Sequence, residues 1–202
     1  MHPIGWLARV GSVLIAVALT ACGTREARVD YSAWSQNDPR KVAYRVGVSD
    51  VVRVTVWKDP SLSTDAAVRP DGKITVPLVG ELDAAGRTAD EIQAQLMRRI
   101  SAYVKDAIVT VAVVEVNSYR FTVAGNVERP GMFTPRYYVT VSEALALAGG
   151  PNRFGETGEV VVIRPRGAGA PIRIPIDYDR ILSGERPDAD IVVRAGDTLL
   201  VP

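Results

Sequence analysis

The sequence predicts an α+β fold in which short strands alternate with two helices. Two runs, Val51–Trp57 and Ala107–Val116, are rich in the β-branched residues that strands prefer. Two helix starts, Thr88–Glu91 and Thr140–Glu143, carry the capping-box pattern, in which a threonine and a glutamate satisfy each other's backbone amides. Each helix start lies between strand-like runs, and 202 residues suffice for two small units. We therefore expect two α+β units in succession.

Residues 1–21 are predicted to be a secretory signal peptide. Arg9 precedes an apolar run, Val10–Leu19, that is too short for a permanent bilayer span of about 20 residues. The segment Leu19–Cys22 resembles a bacterial lipobox, and Cys22 is the only cysteine, so no intrachain disulfide can form. We predict lipidation at Cys22, and Gly23, where an aspartate would indicate inner-membrane retention, favours the outer membrane. A plain signal peptide followed by a free cysteine is the alternative.

Residues 22–41 are predicted to be a lipid anchor and linker. They are polar, contain Pro39 near their end and show no apolar period, which is typical of a mobile tether. Tyr31 and Trp34 offer an alternative, in which the segment docks on the folded body or on a neighbouring subunit.

Composition excludes several classes of function. Loss of residues 1–21 removes one of the 24 basic residues and none of the 23 acidic ones, so the formal charge becomes zero and no basic footprint for nucleic acid remains. The only histidine, His2, is lost with them, so His-dependent catalysis and His metal sites are unavailable. Gly149–Gly150 and Gly167–Gly169 lack a nucleotide-binding fingerprint. We expect no cofactor and no metal.

Paired carboxylates remain formally able to hydrolyse glycosides. The candidates sit in a turn or flank strands and loops, where we expect solvated or capping roles: Asp71, Glu81, Asp83, Asp177 and Asp179.

The first unit is predicted to span residues 42–117. Val51–Trp57 should place three alternate valines on one face, and Asp71–Gly72 should turn a tight β-hairpin between Val68 and Ile74–Val76. The helix that begins at Thr88 should have an apolar stripe along one face, formed by Ala89, Ile92, Leu96, Ile100 and Tyr103. Ala107–Val116 should pair inside the sheet.

The second unit is predicted to span residues 118–202, with the boundary at Asn117–Ser118. Glu128–Gly131 has proline and glycine where a type II turn needs them, and Gly149–Gly150 should stop the second helix. The other expected elements are strands at 119–125, 160–163 and 172–176, a hairpin loop at 167–170, a helical turn at 177–183 and a closing strand at 190–201.

Several short motifs follow one another along the first unit: Trp57, Pro60 and Leu62, the Arg69–Gly72 turn, Pro77–Gly80 and Gly86–Thr88. Taken in this order, they resemble the bacterial outer-membrane polysaccharide export family. This chain has Ser49–Asp50 where the family typically has Gly-Asp. In the second unit, the motifs resemble the soluble-ligand-binding β-grasp domain of the same family: Val123 with Gly125, Pro130–Gly131, a short helix ending in Gly-Gly, and Gly196–Asp197.

The resemblance implies a small export domain followed by a β-grasp domain, in a lipid-anchored outer-membrane protein that faces the periplasm. It implies a homo-oligomeric ring that conducts polysaccharide, and an inner-membrane copolymerase as partner. Fuller members end in an amphipathic helix, whereas this sequence stops at Pro202, so the expected arrangement is either a separate outer-membrane β-barrel partner or a ring that only extends an inner-membrane copolymerase channel. The candidate polymer-facing or subunit-facing residues are Arg69, Asp71, Arg129, Arg136, Tyr137 and Tyr138. The alternative is a monomeric lipid-anchored saccharide-binding or adaptor module.

Overall fold

The computed structural model describes residues 29–202 and confirms the α+β fold class. The predicted signal peptide and Cys22 lie outside the described residues. Strands form one three-stranded sheet, one five-stranded sheet and one separate pair. Buried side chains form two hydrophobic clusters, one in residues 46–111 and one that joins Tyr31 to residues 119–201. No helix in residues 29–202 is long and apolar enough to cross a membrane.

The first unit is an antiparallel sheet covered on one face by a helix. Strand β1 (Val51–Val56) lies between β2 (Thr64–Ala67) and β5 (Val109–Glu115). The alternate valines of β1 are buried, as predicted. Helix α2 (Ala89–Ile100) begins at the predicted capping box and buries three aliphatic side chains of its stripe against the sheet.

The hairpin prediction at Asp71–Gly72 is only partly right. The turn forms, because the Gly72 amide donates to the Arg69 carbonyl at 2.8 Å and Gly72 has a φ of 81°. However, β3 (Lys73–Val76) pairs with β4 (Gly80–Asp83) instead of with β2. The hairpin therefore closes at Pro77–Val79, one strand later than expected.

Two further expectations for the first unit are wrong. Strand β5 pairs only with β1 among the described residues, so it lies at the edge of the sheet and not inside it. Tyr103 does not join the apolar stripe, because α2 ends at Ile100 and the Tyr103 side chain is 63% exposed.

The second unit is a mixed five-stranded sheet that packs one face on the second cluster. Across the sheet, the strands run in the order β7 (Gly131–Phe133), β6 (Phe121–Gly125), β10 (Thr198–Val201), β8 (Val160–Arg166) and β9 (Gly169–Ile176). Strands β6 and β10 are parallel to each other, and the other neighbouring pairs are antiparallel. Helix α3 (Val141–Leu147) begins at the second predicted capping box. Helix α4 (Tyr178–Leu182) is the predicted helical turn.

The type II turn predicted at Glu128–Gly131 is not formed. A type II turn with Pro130 as its second residue requires a positive φ at the third residue, Gly131, and Gly131 does not have one. Gly131 begins β7 instead, where it pairs with Val123. Gly149 and Gly150 do have positive φ values and end α3, as predicted.

The linker prediction is wrong for residues 29–41, which pack against the second unit. Helix α1 (Ser32–Gln36) follows the buried Tyr31, whose hydroxyl donates to the Pro175 carbonyl. Arg186 donates to the Val29 carbonyl at 2.9 Å and lies over the Tyr31 ring, 5.2 Å from its centroid. The docking alternative is therefore correct for this part of the chain.

Candidate functional site

The β3–β4 hairpin and the turn before it carry an exposed ionic cluster that contains the first two candidate residues, Arg69 and Asp71. Arg69 donates to Asp71 and to Glu81, each at 2.6 Å, and Lys73 lies 3.3 Å from Glu81. The hydrogen bond from Arg69 holds the pKa of Glu81 below its usual value. Arg69 and Asp71 thus lie together on the surface, and each already has an oppositely charged partner.

Asp50 is a buried carboxylate that joins the first unit to the start of the second. One oxygen accepts from the backbone amides of Asn117 and Ser118, at 2.8 and 2.7 Å. The other accepts from the Tyr44 hydroxyl at 2.6 Å, the Gly47 amide at 2.7 Å and the Ser118 hydroxyl at 3.0 Å. In the sequence, Asp50 stands out only as part of the Ser49–Asp50 motif. Its five donors identify it as the centre of the junction between the units.

A groove of about 520 Å³ opens beside this junction. It is lined by residues 36–45, by Tyr119 and Tyr138 of the second unit, and by Arg194. The Tyr138 ring lies edge-on against Tyr119, with the centroids 4.8 Å apart, and 6.5 Å from the Tyr44 ring. Three tyrosines from both units therefore pack together next to Asp50.

Burial raises the pKa values of these three phenols above the usual value for tyrosine. It raises the pKa of Tyr44, and the hydrogen bond to Asp50 raises it further. Burial also raises the pKa of Tyr119 to about 12. It raises the pKa of Tyr138 as well, and the nearby Asp50 charge adds to that effect. The Tyr119 hydroxyl donates to the Val193 carbonyl and accepts from the Val139 amide. The tyrosines are therefore packing and hydrogen-bonding groups.

The other candidate residues fall in two places. Arg136 and Tyr137 directly precede Tyr138, and both side chains are exposed, Tyr137 by 65%. Arg129 instead lies at the end of α3, where it donates to the Leu147 carbonyl at 3.0 Å. The structure thus brings Arg136, Tyr137 and Tyr138 together at the junction and places Arg129 apart from them.

The carboxylates considered for glycoside hydrolysis have local structural partners. Asp177 caps α4 and pairs with Arg180, while Asp179 accepts from the Thr157 hydroxyl. Asp83 lies 3.9 Å from Arg87. Within residues 29–202, no three carboxylate, histidine or cysteine side chains are grouped as a metal site would require.

A second buried charge lies inside the second unit, and sequence reasoning did not identify it. Arg164 donates to both oxygens of Asp197, with a shortest distance of 2.7 Å, and also to the Val192 carbonyl. Asp197 additionally accepts from the Arg194 amide at 2.8 Å. This ion pair is closed to solvent and fixes β8 to the turn before β10.

Comparison with known proteins matches each unit to a described family. Residues 38–114 match the polysaccharide biosynthesis/export protein family, and residues 120–175 match the SLBB domain. These two matches meet close to the junction at Asp50.

Individual relatives carry related names. The chain is 30% identical over 182 residues to the EPS I polysaccharide export outer membrane protein EpsA of Ralstonia nicotianae, covering 78% of this chain and 47% of that protein. It is 30% identical over 150 residues to the exopolysaccharide production protein ExoF of Rhizobium meliloti, covering 69% and 33%. It is 26% identical over 173 residues to the capsule polysaccharide export protein BexD of Haemophilus influenzae, covering 76% and 42%. The chain therefore spans less than half the length of these relatives.

Proposed function

The chain belongs to the polysaccharide export protein family, and from that premise we propose that it takes part in exporting a capsular or extracellular polysaccharide at the outer membrane. The observation that carries the proposal is the succession of an export domain and an SLBB domain in one chain. The relatives named for export match across both domains. The family is one of export proteins and not of enzymes, so the proposed work is confinement and passage of the polymer without covalent chemistry.

We propose further that the protein is anchored through a lipidated Cys22, faces the periplasm and forms a homo-oligomeric conduit. A ring arises when each copy presents two different complementary patches and the rotation between copies closes. The hydrogen bonds that Asp50 accepts at the junction support this idea, because they hold the two units together and a ring needs subunits of fixed shape. An inner-membrane copolymerase is the expected partner.

The candidate residues differ in how well they suit contact with polymer or with a neighbouring subunit. Arg136 and Tyr137 suit it best, because their side chains are exposed beside the junction. Arg69 and Asp71 form an exposed cluster with Glu81 that a partner could share. Arg129 and Tyr138 are already engaged, by a helix end and by aromatic packing respectively.

Deletion of the gene tests the export role. We expect the mutant to lose polysaccharide from the medium and the cell surface, and a copy supplied in trans to restore it. The measurement is the amount of polymer outside and inside the cells. Normal secretion in the mutant would contradict the export role.

The oligomeric state separates the conduit from the alternative, a monomeric lipid-anchored binding or adaptor module. We expect protein extracted from membranes in mild detergent to give a closed oligomer by native mass measurement. The matched variant is Cys22→Ala, which should lose membrane attachment while the fold of residues 29–202 stays intact. Monomers alone, from the wild-type protein at its cellular concentration, would favour the adaptor module.

A further inference from the structure

The outer face of the three-stranded sheet presents an exposed surface that none of the functions above uses. We call it the sheet shelf and define it by six residues: Arg53, Thr55, Trp57, Asp65, Ile108 and Thr110. The opposite face of the same strands is buried in the hydrophobic cluster of the first unit. The shelf therefore lies on a rigid support.

An exposed tryptophan marks one end of the shelf. The Trp57 amide donates to the Ile108 carbonyl at 2.9 Å, directly beyond the buried pair Val56 and Val109. Alternation along the strands then puts the Trp57 and Ile108 side chains on the outer face. They are 66% and 62% exposed, although large apolar side chains normally gain by burial. Folding thus leaves a flat apolar surface facing solvent.

Two threonines form the middle of the shelf. Thr55 and Thr110 are opposite each other in the ladder between β1 and β5, and both are exposed. Such cross-strand neighbours have Cβ atoms about 5 Å apart. Within residues 29–202, neither hydroxyl hydrogen-bonds to another residue. Both hydroxyls can therefore donate to and accept from a ligand.

An oriented ion pair marks the other end. Arg53 donates to the two oxygens of Asp65 at 2.6 Å each, and both side chains are about half exposed. The hydrogen bonds from Arg53 lower the pKa of Asp65, so the carboxylate stays ionised at neutral pH. The pair has no net charge, and its fixed, planar edges offer both donors and acceptors.

The shelf has the chemistry and the length of a saccharide subsite. Trp57 and Arg53 are four residues apart on one strand, a distance of about 13 Å. A sugar ring has an apolar face of C–H groups and a rim of hydroxyls, which correspond to the indole, the threonines and the ion pair. A purely apolar partner would leave the hydroxyls and charges of the shelf buried without partners, at a cost in free energy. A sugar chain would not.

We propose that the sheet shelf binds a short stretch of polysaccharide, with a hexose ring packed flat on Trp57 and neighbouring sugar hydroxyls bonded to Thr55, Thr110 and the Arg53–Asp65 pair. This inference rests on the proposed export function and names the part of the chain that meets the polymer. Because the shelf carries no net charge, it suits neutral stretches of a chain.

The shelf is open and shallow, which suits a polymer that has to move on. Hydrogen bonds to sugar hydroxyls replace hydrogen bonds to water and each contributes little net. We therefore expect a dissociation constant of about 1 mM for a single oligosaccharide. Passage through a conduit requires binding strong enough for entry and weak enough for release, and repeated copies of a weak site provide it.

Binding of oligosaccharides to the purified full chain in detergent tests the shelf. The probe is a set of oligosaccharides obtained by partial hydrolysis of the polymer that the producing cells secrete, and the readouts are tryptophan fluorescence and saturation-transfer NMR. Trp57→Ala should weaken binding about tenfold, because the stacking surface is lost, whereas Trp57→Phe should keep most of the affinity. The matched control is Tyr103→Ala, which removes an equally exposed aromatic ring outside the shelf and should leave binding unchanged.

Four other outcomes would contradict the shelf, and a fifth would contradict the export function on which it rests. Equal binding by wild-type protein and Trp57→Ala, or no binding by the wild type at about 10 mM ligand, contradicts it. A smaller oligomer for Trp57→Ala in light scattering would assign the surface to contact between copies instead. If Trp57→Ala restores full secretion to the deletion mutant and binds normally, the shelf fails while the export function stands. If the wild-type gene fails to restore secretion, the export function fails.

Discussion

Two turns, one in each unit, have the same local structure and different partners. In Gly47–Asp50 and in Arg194–Asp197, the aspartate amide donates to the carbonyl of the first residue, at 3.3 and 3.1 Å. The aspartate side chain accepts the amide of that same first residue, at 2.7 and 2.8 Å. The third residue has a positive φ, 79° for Ser49 and 82° for Gly196. Each turn leads directly into a strand, β1 or β10.

The remaining hydrogen bonds to the two carboxylates come from different kinds of donor. Asp197 is matched by one cation, Arg164, from within its own unit. Asp50 is matched by neutral donors that include the amides of Asn117 and Ser118, where the chain passes to the second unit. The same turn can therefore stabilise one unit internally or connect two units, depending on which donors reach the carboxylate.

The largest effect should come from breaking the charge pair inside the second unit. Arg164→Met leaves the Asp197 carboxylate buried without its cation, which we expect to cost about 3–5 kcal/mol of unfolding free energy. Urea denaturation measures the loss. Replacing both members with apolar residues, Arg164→Met with Asp197→Leu, should recover part of it, because no unpaired charge remains. A wild-type unfolding midpoint for the single variant would contradict a structural role for the pair.

A smaller effect is expected at the junction. Asp50→Asn keeps the size of the side chain but replaces one acceptor oxygen with a donor that faces other donors, at a cost of about 1–3 kcal/mol. Amide hydrogen exchange at Asn117 and Ser118 should become faster, because those amides lose part of their acceptor.

Ser118→Ala is the matched control for Asp50→Asn. It removes one hydroxyl donor from Asp50 and leaves both backbone amides in place, so exchange at Asn117 should change little. Unchanged exchange in Asp50→Asn would show that the carboxylate does not hold the junction.

The parts of the fold that could be predicted depend on neighbours in sequence. Both capping boxes involve residues three positions apart, and the alternation in Val51–Val56 is likewise local, so the sequence indicated them correctly. The family motifs indicated an export domain and an SLBB domain for the same reason, because each motif is a short run of residues.

The parts that could not be predicted depend on distant partners or on unusual backbone. The hairpin closes at Pro77–Val79 with Leu78 at a φ of 66°, a conformation that leucine rarely adopts and that no sequence signal marks. Tyr31 is buried by contacts with Pro175 and Arg186, far along the chain. The donors to Asp50 at the junction are 67 and 68 residues away. Only the folded structure brings such groups together.

The smallest effect should come from making the two turns identical. Ser49→Gly places at the junction turn the residue type that the other turn has at Gly196. Because a side chain at positive φ is strained and glycine is not, we expect a gain of about 0.5–1 kcal/mol, after allowing for the extra freedom of glycine in the unfolded chain. The reciprocal variant, Gly196→Ser, should lose stability, and by more than Ser49→Gly gains, because its added Cβ would also lie 3.2 Å from the Pro165 ring. Urea midpoints for both variants check the comparison. A loss in Ser49→Gly would mean that the serine side chain contributes more to the junction than its backbone strain removes.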